Sequence, residues 1–338
     1  MAQYTIRDIA ELARVSLATV SRAINRPDDV RPETLKKVSD VIRKVGYRPN
    51  RIASSLKSRK TRMVGIVVSD VLNPFFVGIV KSAERRFSSA DYTAIICDSE
   101  ENPQRELHYL DDLMARRIDG LVMIPALEHN VLPRVLKQLN IPAVFVDRSL
   151  SSEHDCIKTD NHAGISLLVN HLVGRGYRSI GFISGPVTTL PGRERFEAFT
   201  TELALHNLAF TEEQASFCDF SVAGGYESAR ELIGRHPRPE AIIASNNLTG
   251  IGALKAIADS TLVIPDDIAL VVFDDFLMSD VTNPPLTVVA QPADLIGEEA
   301  ANILIQRMTA REPLPPQLIL HTPKLIVRKS TRALDARR

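Results

Sequence analysis

The segment that decides how this chain folds is TIRDIAELARVSLATVSR, residues 5–22. Thr5 and Asp8 stand at the spacing at which a hydroxyl and an acidic side chain cap the first turn of a helix. Apolar residues then recur at helical spacing, and Ser16 begins a second helix whose apolar stripe includes Val20. Two short helices joined by a turn of three or four residues form a helix-turn-helix unit, whose second helix enters the DNA major groove. The segment therefore predicts a DNA-binding headpiece.

The residues after this segment predict a third helix and then a basic linker. Pro32 favours the first turn of a helix, and Gly46 favours the position just after its end. Another short helix starts at Pro49, and it is too short to be stable alone. The predicted domains are a helix-turn-helix domain over 1–48, a hinge helix and linker over 49–61, and a core over 62–338.

Charge is distributed unevenly along the chain, although the net charge of its 338 residues is zero. Residues 1–62 contain 15 Lys and Arg against 6 Asp and Glu, a balance of +9, so the remainder carries −9. A basic segment fused to a larger acidic one indicates a head that binds a polyanion and a body that does not.

Composition indicates a cytoplasmic protein that does not associate with a membrane. The three cysteines, Cys97, Cys156 and Cys218, are odd in number and widely spaced, which is typical of reduced thiols. The first residues lack the apolar stretch of a signal peptide, and no apolar run approaches the length that spans a bilayer.

From Met63 onwards, short β-branched runs alternate with amphipathic stretches of helix length. The predicted strands are 64–68, 93–97, 120–124, 143–146, 179–183, 241–244 and 269–273. The predicted helices are 75–89, 103–116, 161–174, 192–206, 222–234 and 247–258. This alternation predicts parallel sheets with crossover helices, and the number of units favours two lobes over one sheet.

The headpiece resembles that of the LacI/GalR family of regulators. The matching motifs are TIRDIA at 5–10, VSxxTVSR at 15–22, VGYxPN at 45–50 and AxxL at 53–56. The resemblance implies that Leu17, Ala18 and Arg22 contact bases, with Arg22 the natural partner of a guanine. Further DNA contacts, which set the register on the backbone, are implied for Thr5, Ser16, Thr19, Ser21, Asn25 and Tyr47.

The resemblance also implies a hinge helix over residues 49–57 that forms on the operator. Two such helices, with Asn50 and Ala53 among their DNA contacts, would open the minor groove and insert Leu56 at its central step. Two positions depart from the family pattern. Ser54 stands where Arg is common, which removes one possible DNA contact, and Arg31 stands where an uncharged helix cap is more usual.

The rest of the chain resembles the periplasmic-binding-protein-type core of that family. The matching motifs are NPFF at 73–76, DGL at 119–121, VDR at 146–148, DN at 160–161, GYxxIGF at 176–182, RxRxxxF at 193–199, FDD at 273–275, PLT at 285–287 and Gln291. The implied fold class is an all-α helix-turn-helix headpiece plus an α/β core of two doubly wound parallel-sheet lobes. Crossovers are expected near 160, 290 and 322, with an N-lobe of about 62–160 and 291–321 and a C-lobe of about 161–290 and 322–330.

Polar residues follow several of the predicted strands, where ligands bind in such folds. Carboxylates accept from vicinal hydroxyls, arginine donates two parallel bonds, and an aromatic ring covers the apolar face of a sugar. Carried over position by position, the family resemblance implies these candidate effector-binding residues: Asn73, Phe75, Phe76, Asp147, Arg148, Arg193, Arg195, Phe220, Asn246, Asp274 and Gln291. This set is similar to the pocket of ribose-binding proteins, which implies ribose or a related pentose, with hexoses and nucleosides as alternatives.

Taken singly, these residues also have structural interpretations. An Asx residue is more often a cap or a turn former, and a phenylalanine is more often part of a core. Asn247 departs from the family pattern, which usually has Asp there, and this change alters the charge at the edge of the pocket.

The chain contains no phosphate-binding GxxxxGK[ST] loop, no dinucleotide fingerprint, no GxSxG elbow and no Cys/His cluster with metal-ligand spacing. We therefore predict no cofactor, no metal and no enzymatic activity. The alternatives are a sugar-processing enzyme, in which Asp274 and Asp275 would be an acid/base pair, and a secreted sugar-binding protein with the same core. Adjacent strand residues point to opposite faces, which argues against the enzyme.

The preferred interpretation is a repressor that binds a pseudo-palindromic double-stranded DNA operator and a small sugar effector. Closure of the lobes on the effector would order or release the hinge helices. The core is expected to be complete by Arg328. The tail beyond it has no heptads, which favours a homodimer over a tail-assembled tetramer.

Overall fold

The computed structural model describes residues 4–47, 60–126, 140–149 and 153–334. The chain divides between Thr61 and Arg62 into two compact units, which we call the headpiece and the core. The predicted hinge helix, with Asn50, Ala53, Ser54 and Leu56, lies outside the described residues.

The headpiece is helical. Its helices are α1 (Ile6–Ala13), α2 (Leu17–Asn25) and α3 (Pro32–Val45), with a 3-10 turn at Pro27–Asp29. Thr5 and Asp8 form the capping box of α1, and the Ser16 hydroxyl caps α2 by accepting from the Thr19 N–H at 3.1 Å. The helices share a small core of Ile9, Ala10, Ala13, Val20, Ala23 and Val38. This is a helix-turn-helix unit, as the sequence predicts.

The core alternates strands and helices. Its strands are β1 (Met63–Val68), β2 (Thr93–Asp98), β3 (Gly120–Met123), β4 (Ala143–Val146), β5 (Asp155–Thr159), β6 (Ile180–Ser184), β7 (Ala215–Phe217), β8 (Ala241–Ala244), β9 (Ala269–Phe273), β10 (Thr287–Ala290), β11 (Leu318–His321) and β12 (Lys324–Ile326). Its helices are α4 (Pro74–Ser89), α5 (Pro103–Ala115), α6 (Asn161–Gly174), α7 (Leu190–Leu205), α8 (Val222–Gly234), α9 (Asn247–Ala258) and α10 (Ala293–Thr309), with a 3-10 turn at Glu212–Gln214. No helix within the described ranges is long and apolar enough to cross a membrane.

Within the described ranges the strands form two six-stranded sheets, one for each lobe. The N-lobe sheet has the order β11-β5-β4-β3-β1-β2 and is parallel throughout, whereas the C-lobe sheet has the order β12-β10-β9-β8-β6-β7. The predicted two-lobed α/β fold is confirmed, but β12 runs antiparallel to β10. Strand β11 ends at the cleft edge of the N-lobe sheet, and only two residues lead from it to β12. Strand β12 therefore enters the C-lobe sheet at the edge where β10 ends, and it runs back along β10.

The chain passes between the two sheets at three places within the described ranges. These places lie between β5 and α6, between β10 and α10, and between β11 and β12. Helix α10 packs on α4 and against β3, β4 and β5, so it belongs to the N-lobe although it follows a C-lobe strand. Each lobe is thus assembled from segments that are distant in sequence, and the carboxyl ends of the central strands face the cleft between the lobes.

The C-lobe extends beyond the expected end of the core at Arg328. Ser330 is fully buried; its hydroxyl donates to the Leu270 carbonyl at 2.5 Å and accepts from the Thr287 N–H at 2.8 Å. Further on, the Leu334 N–H donates to the Arg175 carbonyl at 2.7 Å. The last described residues are part of the lobe because they satisfy backbone groups of its sheet and of the residue that follows α6.

Helix α6 lies unusually close to the end of β9. A Cβ at Gly164 would fall 2.4 Å from the Phe273 ring, whereas one at Gly174, at the end of the same helix, would meet nothing within 4 Å. The Phe273 ring in turn supports the Arg195 guanidinium, which lies 3.8 Å from the ring centroid. Gly164 therefore allows the close packing that places this arginine.

We expect Gly164→Ala to destabilise the protein by about 1–3 kcal/mol, because overpacking outweighs the better helix propensity of alanine. Gly174→Ala is the matched control, and it is expected to be neutral or to stabilise by up to about 1 kcal/mol. Chemical denaturation of both variants measures the difference. Equal stability of the two variants would contradict the packing argument.

Candidate effector pocket and nucleic-acid interface

Helix α2 has one buried face and one exposed face. Val20 and Ala23 are buried in the headpiece core, while Leu17, Ala18 and Arg22 are exposed on the other side. Leu17 is 46% exposed, although leucine would ordinarily be buried in so small a domain. The exposed face thus combines a guanidinium with small and apolar side chains, the types that contact guanine and thymine in the major groove.

The residues predicted to contact the DNA backbone include two that also cap helices of the headpiece. Thr5 and Ser16 cap α1 and α2, so their hydroxyls stabilise the helices as well as lying at the surface. The Thr19 hydroxyl lies 2.8 Å from that of Ser16, and Ser21 is half-buried. Tyr47 is half-buried beyond the end of α3. The side chain of Asn25 lies outside the described part of the structure.

A cavity of about 410 Å³ lies between the two lobes of the core. Ten of the residues predicted to bind an effector line it: Asn73, Phe75, Phe76, Asp147, Arg148, Arg195, Phe220, Asn246, Asp274 and Gln291. Arg193 is outside this lining, and its guanidinium instead approaches the Val187 carbonyl at 3.5 Å. Residues two apart on a helix point in directions about 200° apart, so of these two arginines only Arg195 is directed into the cavity.

Two buried carboxylates follow strand ends on opposite lobes. Asp147 comes directly after β4 and Asp274 directly after β9, and both have a positive φ, of 66° and 84°. Burial raises the pKa of each carboxyl above its usual range, and the guanidinium groups of Arg148 and Arg195 oppose part of this rise for Asp147. For Asp274, Arg195 and the Gln291 amide oppose the rise in pKa. A hydrogen bond donated by a ligand to either carboxyl would favour its charged form.

The Arg148 guanidinium is anchored along one edge. It forms a bidentate ion pair with Glu101, at 2.8 and 2.6 Å, and it donates to the carbonyls of Pro125 and Ala126. Its Nε has no hydrogen-bond partner among the described residues and lies 3.7 Å from the Asp147 carboxylate. This arginine is therefore held rigidly, with its Nε edge left for the pocket.

The Arg195 guanidinium connects the pocket to the first crossover. Its Nε donates to Asn161 Oδ1 at 2.8 Å, and its Nη1 donates to the Ser245 carbonyl at 2.6 Å. Asn161 in turn donates to the Glu194 carboxylate at 2.7 Å, and Glu194 forms an ion pair with Lys158 on β5. A polar chain thus runs from the cavity across the crossover to the N-lobe.

The two adjacent aspartates after β9 face different surroundings. Asp274 lines the cavity and accepts from the Gln291 amide. Asp275 instead pairs with Arg328 at 3.0 Å and accepts from the Ser279 hydroxyl. The arrangement does not form an acid/base pair, because only Asp274 lines the pocket.

Aromatic rings form two walls of the cavity. Phe75 and Phe76 lie in the first turn of α4, with their ring centroids 5.5 Å apart. On the C-lobe, Phe220 has a φ of 60° and its ring lies on Gly185, where a Cβ would come within 2.0 Å of the ring. Aromatic surfaces of this kind can cover the apolar faces of a ligand.

Sequence reasoning missed several lining residues: Asp70, Leu72, Glu101, Pro191, Asp219, Ser221, Val222, Ala223 and Leu248. Asp70 and Glu101 follow β1 and β2 at the same edge of the sheet as the predicted residues, so the strand-end rule applied to these strands would have found them. Among the described lining residues the carboxylates outnumber the guanidinium groups by five to two. This balance of charge disfavours an anionic ligand.

Comparisons with known proteins agree with this architecture. Residues 5–50 match the family model of bacterial regulatory proteins of the lacI family, and residues 169–331 match that of a periplasmic binding protein-like domain. The ribose operon repressor of Escherichia coli strain K12 is 31% identical over 328 residues, 96% of this chain and 99% of that protein. This chain belongs to the LacI family.

Further similarities extend over the whole length of this LacI-family repressor. The transcriptional repressor PurR of Actinobacillus pleuropneumoniae serotype 3 (strain JL03) is 31% identical over 334 residues, 98% of this chain and 99% of that protein. A crystal structure of the lac repressor dimer bound to operator and an anti-inducer superposes with a TM-score of 0.87 at 26% identity, covering 98% and 100% of the two chains. The family consists of DNA-binding repressors that respond to effectors, which excludes the enzymatic alternative.

Glu106 of this LacI-family repressor lies behind the Arg148 anchor. Its side chain is fully buried, and its Oε2 accepts from the Ala126 N–H at 2.6 Å. Burial raises the pKa of this carboxyl to about 7. A carboxyl whose pKa is raised on folding stabilises the fold most below its unfolded pKa and loses this contribution as the pH rises towards 7.

We expect Glu106→Gln to be more stable relative to wild type at pH 8 than at pH 5, by on the order of 1–3 kcal/mol, because glutamine keeps an acceptor for Ala126 without a buried charge. Denaturant unfolding at both pH values measures this. Glu298→Gln, at an exposed position on α10, is the control. A stability difference between Glu106→Gln and wild type that does not change with pH would show that Glu106 does not titrate in this range.

Proposed function

We propose that this repressor binds a pseudo-palindromic operator as a homodimer and that a neutral sugar, ribose or a related pentose, controls its operator affinity from the interlobe cavity. The observation that carries the effector proposal is the pairing of buried carboxylates and guanidinium groups from both lobes around one cavity with aromatic walls. Because the target is DNA, we place the action of the protein in the cytoplasm.

The cavity supports a sugar for a chemical reason. The carboxylates of Asp147 and Asp274 accept from hydroxyl groups, and the anchored Arg148 donates to a hydroxyl or ring oxygen. The rings of Phe75 and Phe220 offer surfaces for the C–H face of a sugar ring. The excess of carboxylates opposes phosphorylated sugars. The ribose operon repressor, one of the similar relatives, is named for ribose, which favours this pentose as the first ligand to test.

The surface of the C-lobe supports a homodimer. Leu277, Met278 and Val281 follow β9 in a short loop and are 89%, 56% and 64% exposed. Contiguous exposed apolar side chains of this size are typical of a surface that a partner covers. The lac repressor that superposes on this chain is a dimer on its operator, so a second copy of this chain is the proposed partner.

The chain of contacts from Arg195 through Asn161 and Glu194 to Lys158 supports coupling between effector and operator. A ligand that binds Arg195 biases this chain at the first crossover, and therefore the closure of the lobes. The proposal is that closure changes the spacing of the two N-lobes in the dimer and with it the hinge segments at 49–61.

We expect D-ribose to bind the effector-free protein in a calorimetric titration and Asp274→Asn to weaken this binding about 10- to 100-fold, because hydrogen bonds to a charged acceptor contribute about 1.5–3 kcal/mol. Arg193→Ala, outside the cavity, is the control and is expected to bind as wild type does. Glucose, fructose and adenosine are titrated in parallel. Saturable binding of one of these and not of ribose would replace the pentose by that ligand class.

We expect Arg22→Ala to lose about 1–3 kcal/mol of affinity for a duplex selected from a random library, and to relax the preference at one base pair of each half-site. Arg43→Ala, an exposed change on α3, is expected to leave base preference unchanged. Binding is measured at fixed salt on selected and scrambled duplexes. An equal loss for Arg22→Ala on both duplexes would argue against base readout by this side chain.

A further inference from the structure

A pair of asparagines joins the two lobes at the wall of the cavity. Asn73 caps α4 in the N-lobe, and Asn247 is the first residue of α9 in the C-lobe. The Nδ2 of Asn247 donates to the Oδ1 of Asn73 at 2.9 Å, and both side chains are buried. This hydrogen bond connects residues that are 174 positions apart and lie on opposite sides of the cleft.

The Asn73 amide can adopt only one orientation in this arrangement. Its Oδ1 also accepts from the Phe75 N–H at 3.0 Å, so both of its lone-pair directions are used by donors. Turning the amide over would place its NH2 group against two other N–H donors. Because Asn73 lines the cavity, the NH2 group is the part of its amide that remains for a ligand.

We propose that Asn247 is a positioning residue that fixes, from the opposite lobe, the Asn73 amide as a hydrogen-bond donor to the cavity. Asn247 acts here through its nitrogen: its Oδ1 is buried with no hydrogen-bond partner in the described part of the chain. The position therefore needs a donor, and that requirement distinguishes asparagine from the aspartate that the family pattern usually has there.

An aspartate at position 247 would reverse the polarity of this contact. Its carboxylate oxygens would face the Asn73 Oδ1, acceptor against acceptor, and would add a negative charge beside Asp274, which already accepts from the backbone N–H of residue 247. Asn73 could then reach the carboxylate only by turning over, which would break its cap on α4 and present an acceptor to the cavity. The identity of residue 247 thus determines whether this wall donates or accepts.

The hydrogen bond between Asn73 and Asn247 is independent of the ligand, whereas the role of Asn73 towards a sugar hydroxyl rests on the proposed function. A double-mutant cycle on the effector-free, full-length protein tests this hydrogen bond alone. It uses thermal unfolding of Asn73→Ala, Asn247→Ala and the double variant. Coupled residues lose less together than the sum of their separate losses. We expect the double variant to fall short of that sum by roughly 2–4 °C in Tm.

Asn102→Ala is the matched control, because Asn102 caps α5 in the same lobe through its own Oδ1. Its loss is expected to add to that of Asn247→Ala. Asn247→Asp is expected to lose more Tm at pH 8 than Asn247→Ala does. Additive losses for positions 73 and 247, or an Asn247→Asp variant with wild-type Tm, would overturn the proposal.

Titration with D-ribose tests the consequence for the ligand. We expect Asn247→Ala to raise the Kd of wild type roughly tenfold and to cause no further rise in the Asn73→Ala background. Wild-type affinity in Asn247→Ala would overturn the role in the pocket. If wild type itself does not bind ribose, the pentose proposal fails and the unfolding cycle still decides whether Asn247 holds Asn73.

Discussion

The arrangement of the core depends most on the contacts of the buried Arg195 guanidinium. It is a charged group that is 3% exposed, and burying such a group is unfavourable unless its donors are satisfied. The Asn161 amide at the first crossover and the Ser245 carbonyl after β8 accept hydrogen bonds from it. The Phe273 ring at the end of β9 and the charge of the Asp274 carboxylate stabilise it further. The same contacts that neutralise the arginine therefore hold the crossover, two strand ends and α7 in one arrangement.

The parallel sheets explain why so many polar groups reach one cavity. In a parallel sheet all carboxyl ends lie at the same edge, and the two sheets of the core turn these edges towards each other. Buried polar residues therefore follow β1, β4, β8 and β9 without disrupting either apolar interior, which is filled by β-branched and aromatic side chains. The glycines at 164 and 185 let backbone approach the Phe273 and Phe220 rings at this edge.

Charge separates the two activities of the molecule. The basic surplus is in the first 62 residues, where it favours association with the phosphate backbone of DNA. The cavity has the opposite balance, since five carboxylates and two guanidinium groups are among its described lining residues. A neutral effector can enter such a site without bringing a charge that the protein would have to compensate. In the arrangement proposed above, the neutral Asn247 adds no charge here and leaves the Asn73 NH2 group for the cavity.

The sequence by itself determined the features that depend on neighbours within one turn or one strand. The capping box of Thr5, the cap at Ser16 and the alternation of strands and helices follow from backbone geometry. The rule about strand ends and the family resemblance together located ten cavity residues. The tertiary structure alone showed that Arg195 and not Arg193 lines the cavity, and that Glu101 anchors Arg148. It also showed that β12 runs antiparallel to β10 and that Ser330 is buried in the C-lobe. Each of these depends on partners brought together from distant segments, as the separation of 174 positions between Asn73 and Asn247 shows. Such pairings follow from how whole lobes pack, which no local pattern of residue types encodes.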